Sequence, residues 1–266
     1  MRHIICFSGG ADSTALCLWA RENLSEFDTV FCDTGWEHPM TYDYIQYINE
    51  KVLDGRLITL TSKREDGMKG CVRYHGRIPS VRARFCTREL KVEPMKKYID
   101  SIDEFTIVLF QGVRGDESVK RYAQGPLFHD DFYDCTIDRP LFYWTKDDVF
   151  DYTKKRGIEP NPLYLLGARR VGCFPCVMIS HAELKRMLVT TPEIKDRIRE
   201  LEACANGRSF FPPNYIPARF CNGLDEKTGK RFPTSDDVFW YVEGRNEDQM
   251  PMFVQPACVS AYNLCE

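Results

Sequence analysis

The sequence predicts an α/β protein with a doubly wound, mainly parallel sheet and a cysteine-rich C-terminal extension. Three observations carry this prediction. Short β-branched or aromatic runs at 3–8 (HIICFS), 28–33 (DTVFCD), 57–62 (LITLTS) and 105–112 (FTIVLFQG) are bounded by turn residues. Helical patterns near 11–24, 39–53 and 89–101 lie between them, and strands alternating with helices build a parallel sheet covered on both faces. The turns Ser8-Gly9-Gly10, Asp33-Thr34-Gly35 and Gly112-Val113-Arg114 follow three of these strands, and all are polar and contain glycine. In such a sheet they converge on the carboxyl edge of the strands, where ligands bind.

Beyond residue 145 the pattern changes. The stretch WTKDDVFDYTKKRG reads as an amphipathic helix ended by Gly157, with Pro160 and Pro162 just after it. The expected division is a nucleotide-binding sheet domain over 1–165 and a cysteine-rich region over 166–266, with one helical stretch near 181–203. The chain has 266 residues, 43% of them hydrophobic, which supports a sizeable core and excludes global disorder. No apolar run approaches the roughly 20 residues that cross a bilayer, and the N-terminus enters a strand without a leader pattern. The expectation is a cytoplasmic protein with no membrane association.

The net charge of −3 argues against a generally basic nucleic-acid binder. Its distribution is uneven. Lys63 to Lys97 holds eleven Lys/Arg against four Asp/Glu, and Asn222 to Glu266 holds four basic against eight acidic residues. A basic segment in a mildly acidic chain suits a phosphate-rich ligand, the alternative being a solvated charged face.

Ser8-Gly9-Gly10-Ala11-Asp12-Ser13-Thr14 places successive backbone N–H groups at the start of a helix, a cradle for an anion that the helix dipole strengthens. Ser8, Ser13 and Thr14 add hydroxyls, and Asp12 can orient a donor or hold Mg²⁺. The loop fits neither G-x-x-x-x-G-K-[ST] nor G-x-G-x-x-G. SGGADST resembles the SGGxDS[ST] motif of the PP-loop ATP pyrophosphatases, which hold the pyrophosphate of ATP and cleave between its α- and β-phosphates. FCDTGWEHPMTYDYI (31–45), RFCTRELKVEP (84–94), GVRGDESVKR (112–121), PLFYWTKDDVFDY and NPLYLLGARRVGCFPC are similar to successive segments of the phosphoadenosine phosphosulfate (PAPS) reductase branch.

The resemblance implies an adenine nucleotide α-hydrolase-like fold that binds ATP with Mg²⁺ at Ser8, Gly9, Gly10, Asp12, Ser13, Thr14, Asp33, Gly112 and Arg114. Asp33 would touch the ribose or orient its loop, or else serve only as a turn residue. Arg84, Arg88, Lys91, Arg114 and Arg121 would grip phosphate or sulfate oxygens. Asp12, Ser13, Arg114, Cys173 and Cys176 are the catalytic candidates.

Twelve cysteines in a reducing compartment divide into core thiols, such as Cys6, Cys17 and Cys32, and candidate ligands. Cys173 and Cys176 form C-x-x-C, a spacing that suits one metal or a redox pair. In the iron–sulfur reductases that this chain resembles, cluster cysteines fall in this segment and in the one holding Cys86. Those enzymes pair two cysteines upstream, where this chain has Phe85-Cys86-Thr87. Cys265 or Cys258 would supply a fourth ligand; otherwise three cysteines leave one iron of a [4Fe–4S] cluster open, and Zn²⁺ or merely buried thiols are the alternatives. The reductases also carry a C-terminal Glu-Cys-Gly-Leu-His-type segment, whereas this sequence ends AYNLCE. The resemblance extends to the ATP pyrophosphatase/sulfurtransferase component of DNA phosphorothioation systems. It implies AMP and pyrophosphate formation, a cysteine desulfurase as sulfur donor and DNA as acceptor. PAPS or adenylyl-sulfate reduction, tRNA thiolation and nucleotide sensing without catalysis are the alternatives.

Overall fold

The computed structural model describes residues 1–226 and 228–244. The chain forms two compact units, one made of Met1–Lys63 with Thr87–Cys173, the other of Arg64–Cys86 with the described residues from Phe174 onward.

In the first unit, strands β1 (Arg2–Phe7), β2 (Asp28–Asp33) and β3 (Leu57–Thr61) alternate with helices α1 (Ala11–Asn23) and α2 (Pro39–Lys51). Pro39 opens α2 just after His38, whose ring accepts from the Met40 amide. Helix α3 (Gly67–His75) belongs to the second unit, and the short α4 (Phe85–Thr87) leads the chain back to the first. The helix expected over 89–101 is a π-helical turn at Arg88–Val92 followed by α5 (Glu93–Asp100). Pro94 lacks the N–H that would bond Leu90, and a widened ladder accommodates this.

Strand β4 (Ile107–Phe110) returns beside β1, and α6 (Val119–Gln124) leads into β5 (Leu127–Asp130) and β6 (Cys135–Asp138). These last two strands, LFHD and CTID, lack the unbroken apolar run that marks the equally short β4, IVLF. Helix α7 (Lys146–Lys155) starts at a capping box between Thr145 and Asp148, and α8 (Pro162–Leu165) follows.

The strand order is β3-β2-β1-β4-β6-β5, parallel except for the antiparallel edge strand β5. This is the expected doubly wound sheet. Alternation along the strands buries both faces: Ile5, Phe7, Phe31 and Phe110 pack with α1, α2 and α7 residues, while Ile4, Val30, Leu109 and Ile137 pack with Val92, Met95 and Ile99. From β1 the chain winds outward to β2 and β3, then returns to place β4 on the other side. The carboxyl end of β1 is therefore the switch point of the sheet.

The second unit holds α3, α9 (His181–Thr190), α10 (Ile194–Cys204), the antiparallel pair β7 (Gly223–Asp225) and β8 (Lys230–Phe232), and α11 (Ser235–Val242). The single helix expected near 181–203 is two helices because Pro192 cannot continue the ladder of α9. Helix α3 packs on α10, and Lys69 pairs with Glu200 at 2.9 Å. These contacts draw Arg64–Cys86 into this unit although it precedes the expected boundary at 165. Among the described residues, no helix is long and apolar enough to cross a membrane.

Helices α1 and α7 are tied by Glu22, which accepts from Arg156 Nε at 2.6 Å, Arg156 Nη2 at 2.8 Å and Tyr152 Oη at 2.8 Å. The bonds from Arg156, then Tyr152, hold the Glu22 carboxyl below the usual range. A carboxyl lowered by folding stabilises above its unfolded pKa and stops doing so as pH falls through the folded value. Glu22→Gln is expected to cost under about 1 kcal/mol at neutral pH, because the pair is largely exposed. Urea denaturation of both proteins should show the difference shrinking below pH about 4.

Candidate functional site

The loop after β1 rises from a strand whose Ile4, Ile5 and Phe7 are buried, and turns into α1 within three residues. Gly9 has φ +78°, and a Cβ there would come within 3.0 Å of Thr41 Cγ2 and 3.1 Å of Ile45 Cγ1. Gly10 takes the N-cap position without any side-chain cap. The Ser13 hydroxyl braces the turn: Oγ donates to Gly10 O at 3.1 Å and accepts from the Ser8 amide at 3.2 Å. Asn161 Nδ2 donates to Gly9 O at 3.1 Å, so the chain before α8 clamps the loop from outside.

The amides divide into two groups. Ser8 N–H bonds Ser13, Ala11 N–H donates to Tyr164 Oη at 3.0 Å, and Thr14 N–H begins the helix ladder on Gly10 O. Among the described residues, the amides of Gly9, Gly10, Asp12 and Ser13 have no acceptor. Unsatisfied donors at a helix N-terminus, with the dipole behind them, are groups suited to an anion.

The turn after β4 packs directly on this loop. A Cβ at Gly112 would lie 2.9 Å from the carbonyl carbon and oxygen of Asp12 and from the Ser13 amide nitrogen. Two residues on, the buried Arg114 donates from Nε to Asp12 Oδ1 at 2.6 Å and from Nη1 to Asp116 at 2.7 and 2.9 Å. Glu117 lies 3.7 Å from its Nη2 and also pairs with Arg121. Burial lifts the Asp12 carboxyl above the ordinary range, and the Arg114 charge offsets part of the shift. The expected anion grip of Arg114 and Arg121 is thus already shared with three carboxylates. Asp116 and Glu117, in the quoted GVRGDESVKR, are the sequence signal for it.

The remaining expected residues fall as follows. Thr14 is buried in α1 with Oγ1 donating to Gly10 O at 2.9 Å. Asp33 accepts from the Gly35 amide at 2.8 Å and from Tyr42 Oη at 2.7 Å, so it shapes its turn. Lys91 lines the cavity described below. Arg88 pairs with Glu89 and Glu93, Lys63 with Glu93, Arg73 with Asp66 and Lys96 with Asp100. Of these carboxylates only Asp100 lies outside the segment, so most of its positive excess remains. Cys173 lies in the first unit, Cys86 and Cys176 in the second, and each is half-buried. Cys258 and Cys265 lie outside the described residues.

Two hollows flank the loop. One, with about 700 Å³ of atom-free space partly continuous with solvent, is lined by Phe7, Val30, Phe31, Met95 and Val113 with Ser8, Ser13, Glu37, Lys91 and Gln111. The other, of about 360 Å³, is bounded by Ala11, Asp12, Arg114, Lys146, Arg169 and Arg170. Sequence reading missed Glu37 and Gln111. Glu37 is buried and accepts from Thr34 Oγ1 at 2.8 Å, the Trp36 amide at 3.2 Å and Tyr42 Oη at 3.1 Å. Burial, then the charge of Glu37, pushes the Tyr42 hydroxyl upward. Cys32, beside this cavity, is pushed up to about 12 by burial, which keeps it a thiol.

Residues 2–178 match the phosphoadenosine phosphosulfate reductase domain. The chain belongs to the PAPS reductase family. An uncharacterized 37.8 kDa protein of Escherichia phage 186 is 30% identical over 99% of this chain and 96% of its own length. The adenosine 5'-phosphosulfate reductase of Geobacillus kaustophilus is 29% identical over 56% of this chain and 61% of its own, so the match spans under two thirds of that enzyme. The crystal structure of PAPS reductase from Candida auris in a phosphate complex superposes with a TM-score of 0.54 at 18% identity, covering 66% of this chain and 83% of that one. This likeness shows that the two share a fold. The family membership accounts for a nucleotide-type loop at the switch point of this sheet.

Gly112→Ala should force the two loops apart, since the atoms in its way are backbone. The expected cost is about 1–3 kcal/mol, read as a lower midpoint in chemical denaturation. An unchanged midpoint would show that the loops are not held together as described.

Proposed function

We propose that this chain is an ATP pyrophosphatase that adenylates an acceptor for sulfur transfer. The observation that supports it is the set of acceptor-free amides at Gly9, Gly10, Asp12 and Ser13, on the N-terminus of α1, between an apolar hollow and a basic one. The purine would occupy the apolar side, and the β- and γ-phosphates the amides. Lys146, Arg169 and Arg170 border the hollow through which pyrophosphate would leave.

Asp12 Oδ1 is committed to Arg114, and its second oxygen would hold Mg²⁺ against the phosphates. An acceptor oxygen attacks the α-phosphorus, the bond to the α,β-bridging oxygen breaks, and pyrophosphate departs with its electron pair. The amides stabilise the charge that gathers on the leaving group. The terminal sulfur of a persulfide on one of Cys173 and Cys176 would then attack the adenylated atom and displace AMP. The thiolate of the other would break the S–S bond, leaving sulfur on the acceptor and a disulfide that a thiol reductant reopens. Cys86, Cys173, Cys176 and Cys265 are soft thiolate donors of a kind that suits a [4Fe–4S] cluster or Zn²⁺. In this proposal DNA is the acceptor and a cysteine desulfurase the donor, on the strength of the resemblance to phosphorothioation enzymes.

A second reading, reduction of adenylyl sulfate or PAPS, is favoured by the match to adenosine 5'-phosphosulfate reductases. Incubation with Mg²⁺-ATP, DNA, a cysteine desulfurase, cysteine and a thiol, and with each sulfonucleotide plus a thiol, separates the two. The proposal expects AMP and pyrophosphate in equal amounts from ATP. ADP and phosphate, or sulfite from a sulfonucleotide with ATP left intact, would overturn it. Asp12→Asn is expected to slow pyrophosphate release on the order of a hundredfold, the range for losing one charge-stabilising group.

A further inference from the structure

Arg139, directly after β6, is 1% exposed, and among the described residues no carboxylate lies within ion-pairing distance of it. Its partners are neutral oxygens. Nε and Nη2 both donate to Gln111 Oε1 at 3.2 Å, Nη1 and Nη2 to Gln124 Oε1 at 3.3 Å, and Nη1 to Gly125 O at 3.3 Å. The guanidinium also lies over the Phe128 ring at 4.8 Å. A guanidinium has only donors, so the Gln111 carboxamide is forced to turn its oxygen toward Arg139.

Its nitrogen must then face the other way. Gln111 Nε2 is buried without a hydrogen-bond partner, and Gln111 lines the apolar hollow beside the loop after β1. A buried, unpaired amide donor costs about 1–3 kcal/mol unless a ligand completes it. The cation behind the carboxamide also polarises it and strengthens the donor. The pair presents no net charge to the hollow, because the Arg139 charge stays one residue back. That arrangement suits a neutral acceptor atom better than a phosphate, which an exposed arginine would grip directly.

We infer that Gln111, locked by Arg139, is a specificity-determining residue that donates a hydrogen bond to a ring nitrogen of the bound purine. The inference rests on the nucleotide-binding reading above. Because its oxygen is occupied, Gln111 can recognise an acceptor and rejects a donor at the same place. Arg139 acts as the positioning residue.

The test measures binding of ATP and of 1-deaza-, 3-deaza- and 7-deaza-ATP to the wild-type chain, Gln111→Glu and Gln111→Leu. Gln111→Glu keeps the size of the side chain and gives Arg139 a carboxylate, so its thermal midpoint should hold or rise, but it offers no donor. ATP should bind it and Gln111→Leu at least about tenfold more weakly than wild type. One of the three deaza analogues should bind wild type as weakly as ATP binds Gln111→Leu, and should lose nothing further in that variant. A merely structural role for Gln111 would not single out one ring position. If all three analogues bind wild type like ATP, or if Gln111→Glu binds ATP like wild type, the inference fails while the nucleotide site stands. If wild type binds none of them, the nucleotide reading fails, and this inference with it.

Discussion

The contact between the loop after β1 and the turn after β4 governs the rest of the first unit. The backbone of Gly112 lies against the peptide joining Asp12 and Ser13, and Arg114 then reaches back to the Asp12 carboxylate. Two segments about a hundred residues apart are held there as one surface. The order of the strands makes this possible, because β1 and β4 are neighbours only at the point where the winding reverses. A glycine is required at 112 because any side chain would occupy the space of another backbone.

Two buried arginines on this edge are stabilised in different ways. Arg114 is surrounded by Asp12, Asp116 and Glu117, so its charge is met by charge. Arg139 is met by carboxamide and carbonyl dipoles alone, and burial brings it down to about 10, still protonated at neutral pH. Burying a charge is costly unless its surroundings compensate it. The first arrangement fixes the Asp12 carboxylate beside the acceptor-free amides of the first loop. The second spends its donors on orienting a neutral side chain.

The strands and the first helices were legible because each signal was local: β-branched runs, glycine turns, and Pro39 at the start of α2. Ser8 to Thr14 was legible for the same reason, since the motif and its fold are contiguous. What escaped depends on partners distant in sequence. Gln111 looks like an ordinary polar residue until Arg139 takes its oxygen, and Arg114 looks like a free cation until three carboxylates close on it. β5 and β6 are no shorter than β4 but lack its unbroken apolar run. Pro94 and Pro192 were visible in the sequence, but whether a proline widens a helix or divides it is decided by packing. The assignment of Arg64–Cys86 to the second unit follows from contacts with α10, which periodicity does not encode.

The central claim is that backbone amides of the first loop hold a pyrophosphate group. Isotope-labelled protein titrated with pyrophosphate and Mg²⁺, followed by amide proton and nitrogen shifts, tests it residue by residue. The amides of Gly9, Gly10, Asp12 and Ser13 should move most and together, with a single saturation curve. If pyrophosphate binds and those four signals stay in place, the loop is not the anion site and the account is wrong.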